Sequence, residues 1–371
     1  MEVVERGVLL AAVPGGSRRW GAWPSMTPLR DGALLAGYVV GSGKDTDDQA
    51  IELRRSVDGG RTWSEPERPF SMTVDGVRGS FKGCPITPMG GDRLIMAALW
   101  VDREAYPGAP LFHPETEGCL PMAIVVADSG DLGRTWSPWR VVPMTPDVGP
   151  PSLTNPILRL TDGRLALSVE TNKTYLDAGP WLQRVVYLWS DDAGQTWSAP
   201  RTVVGDPAGR IANWDQRTGV APDGRLVSFT WTYDLATQTY LDIHRRTSAD
   251  GGATWSAPEP LGITDQAAHP AMLPDGRIVL AWVDRFGSGS IKARVAAGPE
   301  DPFPPETEVV IHQDRTPRRP DDRTTADDLV EMGTWTYGLP YAEALPDGDV
   351  LVVYYAGDAN AVDIRWARLR P

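Results

Sequence analysis

The sequence predicts an all-β chain folded as a six-bladed β-propeller, and three observations carry that reading. First, one phrase recurs four times: Ser56–Trp63, Ser129–Trp136, Ser190–Trp197 and Ser248–Trp255 all read Ser-x-Asp-x-Gly-x-Thr-Trp. Their tryptophans lie 58 to 73 residues apart, the period of a repeated supersecondary unit. Second, a tight glycine turn between apolar runs recurs six times, at Asp31-Gly32, Gly90-Gly91, Asp162-Gly163, Asp223-Gly224, Asp275-Gly276 and Asp347-Gly348. Such a turn joins two antiparallel strands because glycine adopts a positive φ without a Cβ clash. Third, 38 glycines and 34 prolines, with no long helical apolar stripe, suit many short strands.

Within each unit the glycine turn closes a first hairpin and the phrase closes a second, as between Ala50–Arg55 and Thr62–Pro69. Two hairpins make a four-stranded antiparallel blade. The fifth unit keeps its outer strands, Ile291–Ala296 and Glu308–Ile311, although its phrase has decayed to Gly298-Pro299-Glu300-Asp301-Pro302. The sixth ends one strand short at Ile364–Leu369, and the N-terminal strand Glu5–Ala11 is expected to complete it. Residues 1–371 are read as one domain, with Asp314–Asp328 a charged connection inside the last part of the ring.

The formal charge of −13 argues against a nucleic-acid or anionic-membrane partner, since both require a basic surface. The start of the chain is acidic and its apolar stretch, Val8–Val13, is short, so neither a secretory signal nor a membrane span is expected and a cytoplasmic location follows. Cys84 and Cys119 are read as free thiols. The four histidines, at 113, 244, 269 and 312, form no close pair, so no metal or other cofactor is expected.

The repeated phrase on successive blades resembles the Asp-box, or BNR, repeat of the sialidase (neuraminidase) superfamily, and within it the broad group of uncharacterised bacterial sialidase-like propellers. The resemblance implies a carbohydrate substrate. It also implies three arginines that clamp a sialic acid carboxylate, a tyrosine nucleophile helped by a glutamate, and an aspartate acid/base. Carried over by position, the first arginine falls on Ala22, with Arg18 and Arg19 out of register. The glutamate falls near Asp215, the second arginine near Trp231, and the third near Lys292 and Arg294. The tyrosine falls near Leu339, flanked by Tyr337 and Tyr341, and the aspartate in the run Lys44–Asp48. The arginine set is therefore broken, and sialosides are expected to be poor substrates.

Strand direction puts the phrases beside the glycine turns, on the face away from the chemistry, where aspartate and hydroxyl tie the turn's backbone. The turn glycines also serve as a ruler for the opposite mouth, because residues two apart on a strand share a face. Nine and seven residues before them lie Trp23 and Ser25, Lys82 and Cys84, Thr154 and Pro156, Asp215 and Arg217, Ala267 and His269, and Leu339 and Tyr341. Seven residues after them lie Val39, Ala98, Glu170, Trp231, Val283 and Tyr355.

From these come the candidate catalytic groups: Asp215 as base or tyrosine activator, Glu170 as general acid, Tyr341 or Tyr337 as nucleophile, and His269 as proton shuttle. The bland alternatives are an Asp215–Arg217 pair, a Glu170–Lys173 pair and a structural histidine. Candidate substrate-binding residues are Arg217, Arg78, Lys82, Trp23, Trp231, Tyr355, Asp45 and Asp47, with the cations suited to an acidic group and the aromatics to sugar faces. The long loop Asp102–Gly118 is a candidate lid.

The reading is an exo-acting glycoside hydrolase for a small saccharide, an acidic one included. A uronate lyase and a non-catalytic glycan-binding propeller stand as alternatives, and oligomeric state is left open.

Overall fold

A computed structural model of the chain describes residues 1–314 and 332–371. All but the first residue of the connection expected at Asp314–Asp328 lies outside the described residues. The described chain is a propeller-like arrangement of antiparallel sheets with only three short 3-10 turns, and no helix in it is long and apolar enough to cross a membrane.

Hydrogen bonding groups the strands into five sheets. Two are four-stranded: Leu158–Arg159 through Arg201–Gly205, and Ile211–Val220 through Glu259–Thr264. A five-stranded sheet spans Gln266–Ala267 to Val309–Gln313, and a six-stranded one spans Thr73–Val74 to Arg140–Val141. The seven-stranded sheet holds both ends of the chain, because a single parallel pairing, Trp20 with Val362, joins the strands Trp20–Pro28 and Val362–Arg370. The innermost strands Trp20–Pro28, Ile86–Gly90, Leu158–Arg159, Ile211–Val220, Ala271–Met272 and Tyr337–Ala344 each touch the next, and the last touches the first.

The N-terminal strand runs Glu2–Leu10, three residues earlier at its start than expected, and pairs antiparallel with Val362–Arg370 along nearly its whole length. Gly7 makes the fit possible: a Cβ there would stand 2.4 Å from the Trp366 indole. Buried leucine, isoleucine and valine side chains fill the spaces between facing sheets, with Leu34, Leu351 and Val353 in one such cluster.

The four repeated phrases are turn staples. In the second, Asp131 Oδ1 accepts from the backbone amides of Arg134 and Thr135, at 3.0 and 2.9 Å, and Oδ2 from the Thr135 hydroxyl at 2.7 Å. Ser129 Oγ donates to Asp131 and accepts from Gly133 N. The Thr135 hydroxyl and amide hold Asp131 down to about 2, below the usual carboxylate range. Phrases and glycine turns share one face, since Arg368 reaches the Gly59 carbonyl and both Asp347 and Asp349.

On the other face the ruler meets an irregularity. Trp23, Asp215 and Leu339, each nine residues before a turn glycine, have φ of 47°, 47° and 43°. Register slips at the same places, between Ala22 and Ser25, Trp214 and Arg217, and Gly338 and Tyr341. A bulge with one residue in the left-handed region redirects that side chain and shifts parity beyond it. Non-glycine residues occupy that region at a cost, so the surrounding strands must hold them there.

Replacing Asp131 with alanine removes the staple but touches no group at the mouth. It is expected to lower the melting temperature by about 2–4 °C and to leave ligand binding unchanged, as calorimetry and titration with a bound saccharide would show.

Candidate active site

The bulged residues line three adjoining pockets, or lobes, that share Trp23 and Asp215. The largest of the three lobes is walled by Trp23, Trp181, Trp214, Trp231, Tyr240 and Trp335, with Glu170 and Asp215 as its carboxyl groups. A second lobe holds Lys44, Asp45, Lys82, Gln266 and Tyr355. The third runs toward the axis past Arg217, Asn155 and Tyr341.

The aromatic wall is built by stacking. Trp214 lies on Tyr233 at 4.9 Å between ring centroids, Trp231 on Tyr240 at 4.6 Å, and Tyr240 on Phe286 at 4.9 Å. Rings fixed in this way present flat apolar faces, the shape a sugar ring's C–H face packs against.

Asp215 sits at the junction of the lobes. Its Oδ1 accepts from Arg217 Nη2 at 3.2 Å and its Oδ2 from Gln266 Nε2. The Arg217 pair foreseen as the bland alternative is therefore real, yet the carboxylate still faces all three lobes.

Glu170 ends the strand Leu165–Glu170 and is buried. Its Oε1 accepts from the Thr154 hydroxyl at 3.0 Å and the Gln216 amide at 2.9 Å. Burial, and then the negative charge of Asp215, push its carboxyl up to about 8. Lys173, its alternative partner, donates instead to the Gly179 carbonyl.

Tyr341 lines the axial lobe, stacked on His269 at 4.4 Å. Burial drives His269 down to about 3, so the ring is neutral, with Nδ1 3.3 Å from Asn155 Oδ1. His269 serves as a platform beneath Tyr341. Tyr337 lies outside the three lobes, packed beside His312 and Arg285. The bulge between Gly338 and Tyr341 explains the separation, because it breaks the parity that would have put both tyrosines on one face.

Asp45 is a hub. It takes Lys82 Nζ at 2.6 Å, Arg103 Nη2 at 2.7 Å and the Leu111 amide at 3.1 Å. Burial opposes its charge, but Lys82 and Arg103 hold it well below the usual range. The loop Asp102–Gly118 is thereby pinned so that Leu111 and Phe112 wall the cavity. Lys82 also lies 4.3 Å over the Trp23 ring. Arg78 and Asp47 face each other at 4.0 Å on the exposed rim, outside the three lobes.

The positions to which the arginine clamp would map are occupied otherwise. Ala22 is buried, Arg18 pairs with Glu52, and Arg19 bonds the carbonyls of Ala359 and Asn360. Lys292 and Arg294 are held by Asp284 and Glu308. Sequence reasoning missed Gln266, Trp181, Tyr240 and the inward turn of Lys44. Gln266 is one residue ahead of the ruler's mark at Ala267, the only signal that pointed near it.

Comparison with known proteins follows the same lines. Residues 123–281 match the BNR repeat-like domain. The chain is 28% identical over 284 residues to a sialidase of Micromonospora viridifaciens, an alignment that takes in 73% of this chain and 40% of that protein. The chain is a sialidase-like β-propeller. Solved propellers superpose on it over nearly its full length. An intramolecular trans-sialidase from Ruminococcus gnavus, in complex with oseltamivir carboxylate, gives a TM-score of 0.65 at 15% identity, covering 97% of each chain. An α-L-arabinanase from Penicillium chrysogenum, in complex with arabinobiose, gives 0.67 at 16%, covering 100% of this propeller and 99% of its own chain.

Replacing Asp45 with alanine leaves Lys82 and Arg103 without their shared carboxylate. The propeller is expected to lose about 3 kcal/mol of stability and to become sensitive to proteolysis between residues 102 and 118. Denaturant melts and cleavage mapping would show both effects.

Proposed function

We propose that the chain is an exo-acting glycoside hydrolase built on a single six-bladed propeller over residues 1–371. The seven-stranded sheet would count as two blades joined at Trp20 and Val362, and the closed ring of six innermost strands supports that count. The observation that carries the activity is the pairing of Glu170 with Asp215 on an aromatic-walled cavity. Two carboxyl groups in unequal environments are the usual apparatus for glycosidic cleavage.

Glu170, protonated near neutral pH by its burial and by the charge of Asp215, gives its proton to the departing glycosidic oxygen. Its Oε1 already accepts two hydrogen bonds, which leaves the proton on Oε2. Asp215, steadied by Arg217 and Gln266, either attacks the anomeric carbon or draws a proton from the attacking water. Water supplies the hydroxyl at the new reducing end, so the products sum to substrate plus water. Leu111 and Phe112 of the pinned loop, with Met332 and Trp335, wall the cavity on one side, which supports exo action.

The lyase alternative draws on Tyr341 in the axial lobe. Burial pushes that phenol well above its ordinary value, which weakens it as a base at neutral pH and favours hydrolysis. The likeness to sialidases does not carry their substrate here, since the positions of the arginine clamp hold other residues.

A panel of aryl glycosides and oligosaccharides, read by reducing ends and by ultraviolet absorbance, tests the assignment. New reducing ends without a new double bond are expected, and absorbance from an unsaturated product would establish the lyase instead. Glu170→Gln and Asp215→Asn should each lower turnover at least about 100-fold with folding intact. Activity should fall as pH rises through about 8, where Glu170 loses the proton it must donate. Full activity in either variant would remove that residue from the mechanism, and efficient cleavage of a sialoside would contradict the reading of the broken clamp.

A further inference from the structure

The second lobe contains a lysine with no ion-pair partner among the described residues. Lys44 is buried, 6% exposed, yet has no carboxylate partner among the described residues. Its ammonium donates to the Met332 carbonyl and lies 5.1 Å from both the Trp335 and Tyr355 rings. The carboxylates near it are committed elsewhere, Asp45 to Lys82 and Arg103, and Asp215 to Arg217 and Gln266. Lys82 stands on the same lobe and Arg285 lies 3.8 Å over the Trp335 ring, and these two cations act on Lys44 more strongly than the carboxylates of Asp215 and Asp45. In a chain of net charge −13, such a concentration of cations in one enclosed place calls for a ligand.

A second, independent feature points the same way. Tyr355 is fully buried and lines this lobe, with Arg285 beside it, but its hydroxyl has no hydrogen-bond acceptor among the described residues. A buried donor without an acceptor costs stability, and it is retained at sites where a ligand supplies the acceptor.

We propose that the second lobe binds a single anionic substituent of the saccharide, a uronate carboxylate, with Lys44 as the counter-charge and the Tyr355 hydroxyl as a second donor. The proposal rests on the glycoside hydrolase reading for the rest of the substrate, and it assigns the specificity of that cavity. One uncommitted cation matches one negative charge. Arg285 does not line this lobe, and its Nη1 and Nη2 donate to the Tyr337 carbonyl and to Gln266. Burial, with Arg285 and Lys82 close by, holds the Lys44 amine well below its ordinary value, and an arriving anion offsets all three effects. Asp215 sits on both this lobe and the aromatic one, so a ring anchored by its carboxylate here would present its anomeric carbon near the Glu170 and Asp215 pair.

The test is direct binding by calorimetry to the full chain carrying Glu170→Gln, so that turnover does not intervene. Glucuronate, galacturonate, glucose, galactose and galactose 6-sulfate are the probes. At least one uronate should bind about tenfold or more tightly than its neutral counterpart, with affinity falling as salt is raised. Lys44→Met should abolish that preference while leaving the melting temperature unchanged or higher, because it removes a buried amine that has no ion-pair partner among the described residues. Tyr355→Phe, which keeps the ring, should weaken uronate binding several-fold with folding intact. Equal affinity for acidic and neutral sugars, or an unchanged preference in Lys44→Met, would overturn the proposal. A clear drop in melting temperature in Lys44→Met with the uronate preference retained would assign the lysine to structure alone. Binding of the sulfate ester but of neither uronate would overturn the carboxylate assignment. Uronate binding with no hydrolysis by the unmutated chain would leave this site standing and defeat only the hydrolase reading.

Discussion

The pairing of Glu2–Leu10 with Val362–Arg370 is the contact on which the remaining geometry depends. Strands from opposite ends of the sequence, locked side by side and joined to Trp20–Pro28 through one parallel pair, turn a row of sheets into a closed circuit of contacts. Each innermost strand is then hemmed in by two neighbours, and no sheet can tilt without moving the next. A cavity assembled from single side chains on separate sheets needs that rigidity, since no one sheet supplies more than a few of its walls.

Crowding at the axis explains the bulges. A regular strand would alternate its side chains between the two faces, but Trp23, Asp215 and Leu339 take a left-handed backbone and slip the register by one. The same local event has three chemical results: Trp23 becomes a platform under Lys82, Asp215 reaches the junction of the lobes, and Tyr341 parts from Tyr337. Strain of this kind is concentrated where the chain must aim a side chain rather than pack it. Asp215 then acts on its neighbour, for its charge, added to burial, keeps the Glu170 proton in place.

Much of this was legible in the residues. The repeated phrase and the glycine turns marked the strands, and counting from those turns led to Asp215, Glu170, Trp231 and Tyr355, all of which meet in the cavity. What the count could not carry was parity through a bulge, so Tyr337 was grouped with Tyr341. Nor could it foresee partners from another sheet: Asp45, read as a substrate-binding candidate, is neutralised by Lys82 and Arg103. Arg78 and Asp47 were charges of the right type in segments leading to the mouth, but nothing in a linear pattern separates the rim from the interior. Lys44, at the head of the charged run Lys44–Asp48, lies beside two aromatic rings instead of in solvent.

The central claim is that Asp215 and burial together keep Glu170 protonated at neutral pH. Isotope-edited infrared or carbon-13 titration of the Glu170 carboxyl, identified by difference from Glu170→Gln, measures that directly. A midpoint near 8 in the unmutated chain, falling when Asp215 is replaced by asparagine, is the predicted result. A midpoint in the ordinary glutamate range, or one indifferent to Asp215, would contradict the account.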